Sequence, residues 1–309
     1  MYSIIDTHSD TMSELLDNNE TLEKNKRMIN AEMMKSYKSY VQFYAAYVNK
    51  KYKNPMLRCV EILDKAKQEI NANKINLILN SIDLKNTIKS GEIGAVLAIE
   101  DARALCGSLS SVRFFYDYGV RAMTLAWNDD NEVTDGAASL KNTGLTPFGK
   151  EVVKEMNRLN MIVDVSHITE KGFYDVLEVS KSPVMASHSN CYSICPHRRN
   201  LKDEQIKALI ENNGVMCINI YPPFLREEGT ATTDDIIRHI DYALSLGAEN
   251  NLGLGSDFDG TAGKTPQDLK NLKEYENLFD KMVKIGYKME LIDKITYKNV
   301  VEFMTRVEN

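Results

Sequence analysis

Five histidines are spread over 309 residues, and three of them, His8, His167 and His188, follow short apolar runs that read as strands. Carboxylates stand in comparable places: Asp10 in Asp6-Thr-His-Ser-Asp10, Glu100 after Ala95–Ile99, and Asp257 in Gly255-Ser-Asp-Phe-Asp-Gly260. Imidazole and carboxylate together are the donors that zinc takes, and other divalent ions accept the same set. His8 and Asp10 are one residue apart, so both can point to one side of an extended strand end and serve one cation. His167, in Asp164-Val-Ser-His167, and His188, in Ser187-His-Ser189, come from successive strands and suit a second. Glu100 can bridge the two with its two oxygens. A hydroxide held between two zincs is a nucleophile for a carbonyl, and Asp257 is then left for proton transfer. A metal ligand or a loop cap is the other reading of Asp257. His239 lies within a helical pattern and reads as structural; His197 reads as a loop residue.

Such a cluster needs several strands delivering their ends to one place. Eight apolar runs qualify: Tyr2–Asp6, Val41–Tyr47, Ala95–Ile99, Ala122–Ala126, Ile162–Val165, Val184–Ala186, Val215–Asn219 and Leu252–Gly255. They lack strict polar alternation, as expected of strands covered on both faces. Helical patterns lie between them. Thr146-Pro147 opens one that runs to about Asn160; Asp203–Asn213 is closed by Gly214, and Thr233–Leu246 by Gly247. The alternation predicts βα units in one domain spanning 1–309: an α/β fold, a (β/α)8 TIM-type barrel with the metal site at the C-terminal face of its strands. A ninth run, Ile75–Leu79, is placed outside the barrel because Ser81-Ile-Asp83 reads as an immediate helix start. An open doubly wound sheet is the alternative, but no GxGxxG follows the first strand to support a dinucleotide fold.

Other residues past strand ends join the candidates. Trp127 and Asn128 follow the fourth strand; Asn219 and Tyr221 follow the seventh, as pocket lining or as packing. Tyr221 precedes Pro222-Pro223, which stiffens that loop. Bulk properties bound the function. A hydrophobic content of 43% and a charged content of 27% suit an ordinary globular chain. The formal charge of −6 argues against nucleic acid as a partner. No apolar run approaches the ~20 residues of a membrane span and no basic-then-apolar leader is visible, so no membrane partner and a cytoplasmic location are expected. The odd cysteine count of 5, with no CxxC, predicts reduced thiols rather than a disulfide framework.

At this level the sequence resembles the renal (membrane) dipeptidases and their bacterial relatives in the amidohydrolase superfamily. The resemblance runs nearly end to end and is carried by Asp6-Thr-His-Ser-Asp10, Ala98-Ile-Glu100, Leu125-Ala-Trp-Asn128, Asp164-Val-Ser-His167, Ser187-His-Ser189 with Arg198-Arg-Asn200, and Gly255-Ser-Asp-Phe-Asp-Gly260. It implies a zinc-dependent dipeptidase with two zinc ions per chain. His8 and Asp10 would bind the first, Glu100 would bridge, and His167 and His188 would bind the second. It implies Asp257 as acid/base and Arg199 as the grip on the substrate's free carboxylate, with Arg198 as its competitor and a surface ion pair as the plainer reading. It implies dipeptide substrates, including those with a D-residue at the C-terminal position, and a homodimer. Two departures stand out. Many relatives have a histidine that helps bind substrate where Trp127 stands, and many have Glu-Gly where Glu100-Asp101 stands; a side chain at 101 is expected to narrow the mouth of the site. Hydrolysis of another small amide or lactone, or a binding protein that has lost catalysis, are the rival functions.

Overall fold

The structure, a computed structural model, describes residues 1–309. The apolar runs become eight strands: β1 (Ser3–Ser9), β2 (Ser39–Tyr47), β3 (Ile93–Glu100), β4 (Val120–Thr124), β5 (Ile162–Asp164), β6 (Met185–Ala186), β7 (Val215–Ile218) and β8 (Leu252–Leu254). Each pairs in parallel with its neighbours in chain order, and β8 returns to β1 through Asp6 opposite Leu254, closing the ring. The expected (β/α)8 barrel is what forms. The ninth run contributes only Asn76–Leu77, which pairs with the start of β3 outside the ring, below the stretch where β4 pairs. Helices cover the outside.

Local chemistry sets the helix starts. Asn54 accepts from Leu57 N, Asn80 from Asp83 N, Thr146 from Gly149 N and Thr169 from Gly172 N, each supplying one of the donors a helix start leaves unpaired. Three helices end slightly earlier than the sequence pattern suggests, at Arg158, Glu211 and Ser245. The first two are followed by Asn160 and Asn213 in left-handed backbone, which stops helical bonding before the apolar period ends.

Burial sorts the core into two regions. The larger lies between strands and helices. The smaller includes Ile5, Val41, Phe43, Val96, Ala98, Ala122, Ile162, Met185, Val215 and Cys217, with Phe303 and Met304 of the last helix, Asn299–Val307. These are alternate positions on the strands, so they fill the barrel from its N-terminal end. Two residues further along the same inward faces the chemistry changes. Val96 and Ala98 are followed by Glu100, Ala122 by Thr124, Ile162 by Asp164, Met185 by Ser187, and Cys217 by Asn219. The barrel is apolar at one end and carries buried polar groups at the other, where active sites of this fold lie. No helix is long and apolar enough to cross a membrane.

Candidate metal centre

His8 reaches the site by a route that simple alternation does not provide. Asp6 points away from the barrel interior, where Tyr275 Oη donates to its Oδ2 at 2.8 Å. Alternation would send His8 the same way. Between Asp6 and Ser9, however, the register against β2 slips, with Asp6 opposite Gln42 and Ser9 opposite Tyr44. That extra residue is a bulge, and it re-aims His8 into the barrel mouth. His8 Nε2 then lies 3.6 Å from Glu100 Oε2 and 4.0 Å from Asp10 Oδ2. On the other side of Glu100, Oε1 is 3.1 Å from His167 Nε2 and 3.8 Å from His188 Nε2. Ligand atoms of His8, Asp10 and Glu100, and of Glu100, His167 and His188, fall in two groups, each within 4.8 Å, that share Glu100.

The outer nitrogens of two imidazoles are committed elsewhere. His167 Nδ1 donates to Asn128 Oδ1 at 3.1 Å. Ser187 Oγ donates to Asp164 Oδ2 at 2.5 Å, which leaves Ser187 Oγ to accept from His188 Nδ1 at 2.7 Å. Both histidines therefore present Nε2 lone pairs, and those atoms are only 2.7 Å apart. Two facing lone pairs at that distance repel unless a proton or a cation lies between them. His8 Nε2 and Asp10 Oδ1 are buried without a hydrogen-bond partner, a further sign of donors built for an ion. A third grouping, His8 with Asp164 and His188, is also close. Asp164 is already saturated by Thr124, Ser166 and Ser187, so it acts as the support behind His188.

The electrostatics point the same way. Burial opposes charge on His8, but Glu100 and Asp10 overcome it and push its pKa up to about 10. Burial alone would raise Glu100; His8 and His167 outweigh it and hold the carboxylate below its usual range. Burial, with Arg199 nearby, lowers His167 to about 4 and drives His188 well down, so both are neutral donors. Burial raises Asp10, and it lifts Asp257 to about 6 against the pull of His8. Three carboxyl groups crowded into a buried site resist ionising together, a conflict that divalent cations among them would relieve. The residues present fit such ions.

Asp257 stands beside this cluster on left-handed backbone, φ 65°, and His167 does the same at φ 68°. Such backbone costs a non-glycine residue about 1–2 kcal/mol and persists where the surroundings hold it. Here Asp257 N donates to His8 O at 3.1 Å and Ala137 N donates to His167 O at 2.7 Å. Asn219 Nδ2 donates to Asp257 Oδ2 at 3.1 Å. Gly260 passes so close that an added Cβ would lie 2.2 Å from both Asp10 Oδ2 and Asp257 Oδ1, which explains glycine in that loop. Asp259 ties the loop down through Thr11 Oγ1 and Met28 N.

A cavity of about 380 Å³ opens over the cluster, lined by Asp10, Glu100, His167 and Asp257 and also by Trp127 and Tyr221. The Trp127 ring packs edge-on against Tyr47, with centroids 5.2 Å apart. Arg199 lines a neighbouring cavity that shares His167. It is buried; its Nη2 donates to His188 O at 3.1 Å, while its Nε has no partner. The expected narrowing by Asp101 does not occur. Asp101 is not part of the cavity wall: its backbone turns left-handed, φ 80°, and its Oδ1 accepts from Arg103 N at 2.8 Å and Asn131 Nδ2 at 2.5 Å. The side chain is thereby tied into the adjoining loop, away from the mouth. His239 is structural: Cys191 N donates to its Nδ1 and its Nε2 donates to Leu225 O. The cysteines are all free thiols, and none joins the ligand groups. Sequence reasoning assigned no role to Asn128, Ser187 or Asp164. The signal available was their position beside the histidine-bearing strand ends.

A family model described as membrane dipeptidase (peptidase family M19) matches residues 1–309. Among curated proteins, dipeptidase tcpJ of Claviceps purpurea is 34% identical over 244 residues, 78% of this chain and 57% of that protein. An uncharacterized dipeptidase of Schizosaccharomyces pombe is 37% identical over 221 residues, 70% of this chain and 54% of that protein. The matched part of the chain thus spans about half the length of these relatives. A solved Rhodobacter sphaeroides metallopeptidase, bound to a phosphinate mimic of L-Ala-D-Ala, superposes with a TM-score of 0.91 at 23% identity, covering 99% of both chains. At that identity the likeness speaks to the barrel alone.

Proposed function

The chain belongs to the membrane dipeptidase family, and from that membership we propose that it is a metal-dependent dipeptidase, hydrolysing L-Xaa-L-Xaa and L-Xaa-D-Xaa substrates. The observation that carries the proposal is the pair of ligand groups sharing Glu100, with the outer nitrogens of His167 and His188 already bound to the protein. His8 and Asp10 would hold one divalent ion, His167 and His188 the other, and Glu100 both. Zinc is the ion that this imidazole and carboxylate mixture suits best. Such ions supply a water acidified to near neutrality and a Lewis acid for the peptide carbonyl.

The rest falls to the chain's own side chains. Asp257, raised by burial and held by Asn219, accepts a proton from the attacking water and returns it to the leaving amine. Arg199, buried with its Nε–H unpartnered, receives the substrate's terminal carboxylate. That anchor, set close to the ligands, favours dipeptides over longer chains. Trp127 and Tyr221 form apolar wall on the metal cavity. Trp127 gives a single N–H donor where an imidazole could exchange a proton, so it orients substrate by packing. Residues 1–309 act as one barrel unit, and the assembly is a homodimer.

The test is elemental analysis of the purified protein beside turnover with and without a chelator. The substrate panel contains L,L- and L,D-dipeptides, lactones and N-acyl amino acids. Metal near two equivalents with chelator-sensitive cleavage of dipeptides is expected. Turnover confined to lactones or acyl amino acids would move the assignment to another hydrolase, and metal-free protein with no turnover to a binding role.

A further inference from the structure

The two cavities that share His167 carry opposite charge. Six carboxylates line the metal cavity against Lys51 and Arg58. The second, about 430 Å³, is lined by Lys141, Arg198, Arg199 and Lys202 against one carboxylate, Glu170. Its four cations are not equivalent. Lys141 is paired with Asp130 at 3.1 Å and Lys202 with Glu170 at 2.7 Å. Arg199 is buried and its Nε is unpartnered. Arg198 is exposed on the cavity wall, and none of the chain's ion pairs includes it. Two adjacent guanidinium groups therefore face one cavity without a carboxylate of the protein to answer either.

One terminal carboxylate answers one guanidinium. If Arg199 takes it, as proposed above, Arg198 remains for a second anion at the same end of the substrate. We infer that the basic cavity receives an acidic side chain on the C-terminal residue, with Arg198 as its partner, so that this chain prefers dipeptides ending in aspartate or glutamate. The inference rests on the dipeptidase reading. The cavity volume lies within the range of small-ligand pockets, and an Asp or Glu side chain is small beside it. Charge runs the same way across the two cavities: the substrate's ammonium end meets the acidic one and its carboxylates the basic one.

The experiment compares kcat/KM for L-Ala followed by Asp, Asn, Glu, Gln, Ala or Lys, in both configurations of the second residue. Each acid should exceed its isosteric amide by about tenfold or more, with Lys lowest. In Arg198→Gln the acid-to-amide ratio should fall to near one, and in Arg198→Glu the order of Asp and Lys should reverse. Equal kcat/KM for acid and amide in the unaltered protein overturns the inference. A second readout needs no turnover: calorimetric binding of free aspartate against asparagine to the purified protein. Aspartate should bind more tightly, and that difference should vanish in Arg198→Gln; equal affinities in the unaltered protein overturn the inference. Failure to cleave any dipeptide would remove the dipeptidase reading, while the binding comparison would still decide what the basic cavity takes.

Discussion

Asp257 combines three properties at one residue: left-handed backbone, a hydrogen bond from Asn219, and a pKa lifted by burial to about 6. Asparagine tolerates the same backbone and keeps the shape, so Asp257→Asn isolates the proton-handling role. We expect its metal content to stay unchanged while kcat falls by about 10²–10⁴-fold. Full kcat in this variant would assign the proton to another group. Behind His188, the chain from Nδ1 to Ser187 Oγ to Asp164 fixes which nitrogen faces the ligand cluster. Ser187→Ala removes that link and should weaken metal affinity by about 10–100-fold, read by competition with a graded chelator. Retention of metal at the same chelator concentration as the unaltered protein would mean that packing alone orients the ring.

Among elements, the join of β3 to its following loop shows how a local departure is accommodated. Asp101 takes φ 80°, a region that glycine enters freely, and offsets the strain with hydrogen bonds from Arg103 N and Asn131 Nδ2. Asn131 also donates to Leu125 O and accepts from Val133 N and Thr134 N, so this carboxylate braces the segment that carries Trp127 and Asn128. Asp101→Gly and Asp101→Ala lose the same hydrogen bonds, but only alanine keeps a Cβ at positive φ. Alanine should therefore be the less stable of the two by about 1–2 kcal/mol in urea denaturation. Equal midpoints with equal slopes would show that no strain is stored there. The bulge in β1 is the other instance: one extra residue puts His8 and Asp6 on different sides of the barrel wall.

For the whole molecule, stability should respond to acid through His239, far along the chain from the candidate ligand histidines. Burial lowers its pKa to about 4, and its Nδ1 must stay unprotonated to accept from Cys191 N. A depressed folded pKa means that the unfolded chain takes up the proton first. This stabilising difference is full above pH ~6.5, the ordinary histidine value, and is lost as the pH falls towards the folded value, about 4. The loss across that window is about 3 kcal/mol for this one group. His239→Gln, which has no proton to gain, should show a shallower fall in urea midpoint than the unaltered protein between pH 7 and 4.5. Parallel curves would place the acid sensitivity elsewhere.

Some of this architecture is readable without coordinates because it is encoded locally. Apolar runs without alternation specify strands covered on both faces, Thr146-Pro147 specifies a helix start, and the residues at strand ends mark the functional face. The same local logic put Ile75–Leu79 outside the ring, since a helix begins at Ser81 with no room for a further strand and crossover. What barrel closure alone decided is the relation between side chains far apart in sequence. The shared position of Glu100 between two ligand groups, the Nε2 pair of His167 and His188, and the support from Asn128 and Asp164 depend on angles between strands. So does the placing of Arg198 and Arg199 on the wall of a second, basic cavity. Backbone hydrogen bonding and burial leave a period in the sequence within one element. Distances between elements arise only when their packing is complete, and no residue carries that information by itself.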